Sequence, residues 1–159
     1  MIKFRALSKQ ELLDLETEFK QFLIIHGLHD AEWKALAKSN PKKAQGFIDL
    51  FSNIVIEKIY QNAVGLLQTG TDFITVFNFN RDPWEFYYFK SNCANQLGPI
   101  ESARFLEKLI QKDPDFKVQK GTKEVTDQKA QVVHELITKG AQLIDAHFMM
   151  EFEHYLLKK

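Results

Sequence analysis

The segment TGTDFITVFNFNRDPWEFYYFK, residues 69–90, constrains the fold more than any other part of this chain. Its aromatic and β-branched residues recur with a period of two, which is typical of β-strands. Ile74 and Val76 share one face of the first strand. The opposite face carries Phe73, Thr75, Phe77 and Phe79. The turn sequence NRDP leads into a second strand, which runs from Phe86 to Lys90. We predict a β-hairpin that is apolar on both faces, so both faces need to be covered.

Helical periodicity dominates the chain before this hairpin. Ser8 and Glu11 match a capping box, in which each side chain satisfies a free backbone amide of the first helical turn. The helix that follows is predicted to end at Gly27, and a short second helix follows it. The longest helix is predicted to begin at Pro41 and to continue through Leu67. Apolar residues surround much of it, so we expect a central helix that packs on more than one side.

Helices also follow the hairpin. We predict one from near Pro99 to just before Pro114, one that ends at Gly140, and a last one capped by Asp145. The sequence DFKVQKG, residues 115–121, suggests a third strand. The predicted fold class is therefore α+β, with about six helices, one long and central, packed on a small antiparallel β-hairpin or three-stranded sheet.

The overall composition bounds the function. The chain has 159 residues, which suits a single globular domain over residues 1–159, and 45% of them are hydrophobic. Lys plus Arg and Asp plus Glu number 21 each, so the chain lacks the surplus of cations on which non-specific nucleic-acid binding depends. The sequence also lacks the uninterrupted apolar stretches of signal peptides and membrane-spanning helices. We expect a cytoplasmic protein.

The closing segment DAHFMMEFEHYLLKK contains a candidate metal site. His147, Glu151 and His154 follow one another four and three residues apart, which aligns them along one strip of the last helix. Two imidazoles and a carboxylate are common ligands of zinc and iron. Pairing between neighbouring side chains on a solvated strip explains the same spacing without a metal. No cofactor is predicted on balance, although a divalent metal is kept as an alternative.

A second polar row lies on the long helix. Asp49, Asn53 and Glu57 follow one another at intervals of four residues and therefore share one side of that helix. Three side chains with oxygen atoms in a row are candidate ligands for a hard cation or a cationic molecule. The water-facing edge of an apolar helix gives the same pattern.

Catalytic motifs are scarce in the sequence. Cys93 is the single cysteine, so neither a disulfide within the chain nor a multi-cysteine zinc cluster can form. The chain has no glycine-rich phosphate loop, no Gly-x-Ser-x-Gly motif and no His-Glu-x-x-His motif. We predict no catalytic residue, and lean against an enzyme.

Large apolar side chains exceed what one small sheet can bury. The predicted interface residues are Phe73, Phe77, Trp84, Phe86, Tyr88, Met150 and Leu157. The hairpin rings among them could also stack bases, as in proteins that bind single-stranded nucleic acids, but Arg81 and Lys90 are the only nearby cations in the sequence. Packing in the core or against a second copy of the chain therefore explains these rings better.

Four stretches carry a resemblance to a known family. They are FRALSKQELLDLETEFKQFL, AEWKAL, DLFSNIVIEKI and ELITKGAQLIDAHF, in this order along the chain. Together they resemble a family of small uncharacterised proteins from Bacteroidota, a domain of unknown function, over essentially the whole chain. The resemblance implies no activity and no site residues. We expect a non-enzymatic interaction or scaffold module that forms a homodimer and binds a further protein partner, with metal binding and single-strand binding as alternatives.

Overall fold

The computed structural model describes residues 1–70, 73–91, 107, 111 and 116–157. The chain divides into two compact units, Met1–Ile59 and Tyr60–Lys159. A single domain over residues 1–159 stays a prediction. Six helices and five strands lie within the described ranges, so the predicted α+β class is confirmed. The helix predicted between Pro99 and Pro114, and Cys93 before it, fall outside those ranges apart from residues 107 and 111.

The first unit is helical. Its helices are α1 (Lys9–Asp14), α2 (Glu16–Ile25), α3 (Asp30–Ser39) and α4 (Pro41–Gln61), the last of which extends two residues beyond the unit. The capping box is confirmed, because the Ser8 hydroxyl accepts a hydrogen bond from the Glu11 amide and the Glu11 carboxylate accepts one from the Ser8 amide. One continuous helix was expected here, but the backbone leaves helical geometry at Leu15 and thus separates α1 from α2. Gly27, at φ +77°, follows the end of α2 as predicted.

Aromatic rings form the interior of this first unit. The Phe51 ring of α4 lies 5.0 Å from the Phe19 ring and 5.3 Å from the Phe22 ring, both on α2. Trp33 of α3 meets Phe19 edge-on at 5.4 Å. These distances are typical of favourable aromatic pairs, so three helices are joined by one aromatic cluster.

The long helix differs in two respects from the prediction. It ends at Gln61 instead of Leu67, because the chain then enters a strand at Gly65. Leu50 and Ile54, one turn apart, are 43% and 50% exposed, so the expected packing is absent on that side of the helix. The apolar stripe is wide in sequence, but burial is concentrated around Phe51 and Ile56.

The second unit contains a five-stranded antiparallel sheet. Its strands are β1 (Gly65–Thr69), β2 (Phe73–Asn78), β3 (Trp84–Ser91), β4 (Phe116–Lys123) and β5 (Gln142–Ile144), in the order β4-β3-β2-β1-β5. The predicted hairpin is β2 with β3, and the predicted third strand is β4. A hairpin or three-stranded sheet was nevertheless too small, because GLLQT continues an apolar helical pattern in sequence and QLI is too short to show any period.

One side of the sheet, the core face, packs against the last helix. Its central residues are Leu67, Ile74, Val76, Tyr87 and Phe89, which cluster with Phe148, Met149 and Phe152 of α6 (Ala146–Leu157). The Phe152 ring is fully buried and meets the Tyr87 and Phe89 rings edge-on at 5.3 and 6.0 Å. Asp145 caps α6 as predicted, since its carboxylate accepts a 2.7 Å hydrogen bond from the Phe148 amide.

The opposite side, the aromatic face, carries Phe73, Phe77, Trp84, Phe86 and Tyr88. The cross-strand register fixes this, because Phe77 lies opposite Phe86 while the intervening Val76 lies opposite Tyr87 on the core face. Helix α5 (Lys129–Thr138) lies beside the aromatic face. Gly140, at φ +100°, follows the end of this helix as predicted.

Strand β4 is an edge of the described sheet and is rich in lysine. Lys117, Lys120 and Lys123 recur along its eight residues, and all three are exposed. Lysine on an edge strand is a common obstacle to pairing with another strand. Among the helices that the structure describes, none is both long and apolar enough to cross a membrane.

Candidate functional site

The predicted metal strip lies on the solvent side of α6. His147 and His154 are exposed and Glu151 is half-buried. In the described part of the chain, no group of three or more His, Cys, Asp or Glu side chains is arranged to hold a metal ion. Metal binding by this strip stays a prediction without geometric support. Met150 and Leu157, on the same helix, are 61% and 86% exposed, so they do lie away from the core as expected.

The row on α4 holds the N-terminal segment. The Asn53 side chain donates a 2.8 Å hydrogen bond to the Met1 carbonyl and accepts one of 2.7 Å from the Lys3 amide. Glu57 lies 3.6 Å from the Lys3 ammonium, and Asp49 accepts a 2.9 Å hydrogen bond from Gln45. Asn53 and Glu57 therefore hold the N-terminal segment, whereas the Asp49 contact lies within α4. Cation binding by the three side chains stays a prediction.

A neighbouring residue that the sequence did not single out strengthens that attachment. The Ser52 hydroxyl is fully buried and accepts a 3.1 Å hydrogen bond from the Leu7 amide. The N-terminal segment is therefore bound to α4 at two successive residues, Ser52 and Asn53. The sequence feature that could have identified Ser52 is its position inside an otherwise apolar helical pattern.

The predicted interface residues of the hairpin all belong to the aromatic face. Phe73 stacks on Tyr88 with ring centres 5.6 Å apart, and Phe77 lies 6.3 Å from Phe86. These four rings are half-buried. Trp84 is only 4% exposed and meets Phe79 edge-on at 5.1 Å, so it cannot present an open surface as predicted. Phe79 directly follows the end of β2, and its ring packs against the Trp84 side chain at one end of the aromatic face.

A groove of about 720 Å³ lies between the aromatic face and α5. Phe77, Phe86 and Tyr88 contribute to the sheet side of its lining. Val132 and Leu136 contribute to the helix side, since residues four apart on a helix share one face. Apolar and aromatic walls with a few polar groups are typical of sites that bind small molecules, and the volume falls in their usual range.

Gly121 shapes the wall of this groove. It lies opposite Phe86 in the register of β3 and β4. A side chain at this position would collide with the Phe86 ring, which lies directly over the glycine. The glycine therefore lets the Phe86 ring lie flat across β4, and this fixes the ring as part of the lining.

Most cations near the groove come from parts of the chain remote from the hairpin in sequence. Lys123 of β4 and Lys139, just after α5, line it. Lys117 of β4 lies directly opposite Lys90 in the next part of the same face. From the sequence, Arg81 and Lys90 were the expected nearby cations. That count was too low, because strand register and the position of α5 are long-range properties.

The core face contains the strongest electrostatic coupling of the second unit. The Tyr87 hydroxyl donates a 2.8 Å hydrogen bond to Glu85, whose other oxygen lies 3.1 Å from the Lys120 ammonium. Burial, reinforced by this hydrogen bond, raises the pKa of Tyr87 to about 12. Burial opposes ionisation of Glu85, but the contacts with Tyr87 and Lys120 outweigh it and lower the pKa of Glu85. Since these charges are paired, we assign the cluster to stability.

The fold and the groove together define an α+β protein that has a five-stranded antiparallel sheet and, on the aromatic face of that sheet, a groove lined by aromatic and apolar side chains. More particularly, residues 1–157 match the family described as "Family of unknown function (DUF6495)", so the chain belongs to that family. This confirms the resemblance to a domain of unknown function. No match was found among curated proteins or solved structures.

Proposed function

We propose that this protein is a binding module whose groove holds a small ligand with an apolar body. The observation that carries the proposal is the set of half-buried rings on the aromatic face, enclosed by α5 in a space of about 720 Å³. Removing such rings from water is favourable, at about 25 cal/mol for each Å² of apolar surface. A flat or extended apolar molecule that binds in the groove would cover these rings and so be stabilised by this free energy. We therefore favour binding over catalysis.

The groove can be tested with N-phenyl-1-naphthylamine, an uncharged dye whose fluorescence rises in apolar surroundings. Gln119 of β4 is exposed and lines the groove, so Gln119→Trp should fill it. Thr122 lies on the same strand with its side chain on the other face, which makes Thr122→Trp the matched control. We expect saturable dye binding by the wild-type protein and by Thr122→Trp, and at least tenfold weaker binding by Gln119→Trp. Equal binding by all three proteins would reject the groove as the site.

Self-association is a second proposal, supported by the exposed apolar residues of α6. Met150 and Leu157 lie on the side of the helix that carries His147 and His154. The four residues are spaced three, four and three apart, the pattern of a seam between two paired helices. We propose that two copies of the chain form a homodimer by packing these seams together. Light scattering should give twice the mass of one chain, and Met150→Glu should halve it. A monomer at tens of micromolar would remove this proposal.

The remaining expectations from the sequence, on source, location and other interactions, are also proposals. Occurrence in Bacteroidota follows the resemblance, and a cytoplasmic location is supported by the single cysteine in 159 residues. A further protein partner, a bound divalent metal and single-stranded nucleic acid are alternative interactions. Elemental analysis of protein purified without chelator tests the metal, and Ala variants of His147 and His154 are the matched controls.

A further inference from the structure

We propose that the ligand of the groove is a planar aromatic molecule, one face of which stacks on the Phe86 ring. This inference rests on the proposed function, because it names the class of ligand for the same groove. It separates flat ring systems from alkyl chains and puckered ring systems of similar apolar area. Phe86 and Gly121 are the residues that determine this preference.

One face of the Phe86 ring lies against the backbone of β4. Gly121 lies opposite Phe86 in the register of β3 and β4. A Cβ atom at Gly121 would have the Cζ, Cε2 and Cε1 atoms of Phe86 as its nearest neighbours, and its three distances place it over the face of the ring near Cζ instead of in the ring plane. Because this face is turned toward β4, the other face is turned away from the sheet, toward the groove that Phe86 lines.

The outer face of the Phe86 ring is accessible to a ligand, since Phe86 is only half-buried. Among the residues that the structure describes, the ring in contact with it is Phe77, which is tilted by 41° with its centre 6.3 Å away and so lies beside Phe86. The other two lining rings of β3 are engaged differently. Trp84 is 4% exposed, and Tyr88 is stacked on Phe73 at 5.6 Å. Phe86 is therefore the ring of β3 that presents a face to the groove.

Helix α5 supplies the other wall of the groove. Val132 and Leu136 are half-buried, lie one helical turn apart and line the groove. Both side chains are aliphatic, so they can cover the second face of a flat molecule and require no polar group on it. Offset stacking on an aromatic ring adds favourable free energy beyond the burial of apolar area, and a saturated ligand of the same size does not receive it. The combination of a ring face and an aliphatic wall therefore favours a planar aromatic ligand.

Several charged side chains of the lining lie close to the opposite charge. The Glu85 carboxylate lies 3.1 Å from the Lys120 ammonium. Glu135 and Lys139 both line the groove and are four residues apart, a spacing at which opposite charges on a helix attract each other. Neither pair requires a counter-ion from the ligand. Uncharged probes are therefore suitable for this groove.

Two uncharged alcohols provide the test. 1-Naphthol and decahydro-1-naphthol have the same carbon skeleton and the same hydroxyl group, but the saturated rings of the second are puckered. Displacement of N-phenyl-1-naphthylamine from the protein gives a dissociation constant for each alcohol. We expect 1-naphthol to bind the wild-type protein about fivefold more tightly than decahydro-1-naphthol, as the additional free energy of one stacked aromatic pair implies.

Phe86→Leu removes the aromatic face and keeps an apolar side chain of similar position. The ratio of the two dissociation constants should fall to about one in this variant, because stacking on the ring is lost while burial of apolar area remains. Phe73 is also half-buried on the aromatic face, but it lies beyond the described residues that line the groove. Phe73→Leu is therefore the matched control, and it should keep the wild-type ratio.

Gly121→Ala tests the same preference without changing the aromatic ring itself. The added Cβ would be too close to the Phe86 ring, so the ring must move away from β4 and into the groove. Gly121 does not have a positive φ, so its backbone is compatible with alanine and we expect the variant to fold. The preference for 1-naphthol should be lost. Thr122, the next residue of β4, has its side chain on the other face, so Thr122→Ala is the control that should keep the preference.

The comparison in the wild-type protein is decisive even if a variant fails to fold. Equal binding of the two alcohols, tighter binding of decahydro-1-naphthol, or failure of 1-naphthol to displace the dye would overturn the planar assignment and leave the groove proposal intact. A preference that persists in both Phe86→Leu and Gly121→Ala would overturn the role of the Phe86 ring. Equal binding of the dye by Gln119→Trp and Thr122→Trp would instead reject the groove proposal itself.

Discussion

Replacing Phe152 with alanine should remove much of the stability of the second unit. The Phe152 ring is fully buried, and it contacts the Tyr87 and Phe89 rings of the core face and the Phe148 ring one turn earlier on α6. Buried Phe→Ala changes cost about 3–5 kcal/mol, from lost transfer energy and from the cavity that remains. Whole domains have unfolding free energies of roughly 5–15 kcal/mol, so this one ring accounts for a large fraction.

The assay is urea unfolding followed by tryptophan fluorescence. The chain has two tryptophans, Trp33 in the first unit and Trp84 in the second. A Trp33→Phe background therefore makes the emission report on the second unit through Trp84. In that background, the unfolding midpoint of Phe152→Ala should fall while the slope with urea concentration stays the same.

The matched control lies on the same helix. Met150 is 61% exposed, so Met150→Ala should change the unfolding free energy by less than about 0.5 kcal/mol. The measurement must be made below the protein concentration at which a dimer forms, since Met150 belongs to the proposed seam between two copies of α6. If Met150→Ala were as destabilising as Phe152→Ala in the monomer, the assignment of inner and outer sides of α6 would be refuted.

Two further predictions concern polar contacts. Ser52→Ala should destabilise the protein by about 1–3 kcal/mol in a thermal melt, because the Leu7 amide loses its acceptor in a buried position; an effect near zero would contradict this. Raising the pH should lower the free energy of unfolding, because the pKa of Tyr87 is about 12 in the folded state against 10.0 for an ordinary tyrosine. The stabilisation is complete below pH 10 and is lost as the pH rises toward 12, because the unfolded chain releases the phenolic proton first. The difference in unfolding free energy between wild-type protein and Tyr87→Phe should shrink over that range, and a constant difference would rule out the coupling to Glu85.

Local signals in the sequence predicted local structure well. The capping box at Ser8, the glycines that end helices and the alternation in β2 and β3 each depend on contacts within a few residues, and all of them are present. Strand β1 was missed because its first three residues are all buried, so GLLQT shows no period of two and instead continues the apolar helical pattern that precedes it.

The candidate site was predictable only in part. The rings of the aromatic face could be assigned to one side of a hairpin from their spacing alone. Lys123 and Lys139 could not be assigned to it, because their neighbours are set by pairing across strands and by the position of α5. The row on α4 illustrates the reverse case. Asn53 looks like a ligand in sequence, but its partners are backbone groups some fifty residues earlier.

The lysines of β4 also limit how copies of this chain can assemble. If two β4 edges met antiparallel about Lys120, Lys120 would face its own counterpart and Lys117 would face Lys123 of the second copy. Every such pairing would bring ammonium groups together, so growth of the sheet from molecule to molecule is strongly disfavoured along this edge. The folded protein should therefore resist edge-to-edge association through β4 at high concentration, even though the chain has 14 phenylalanines.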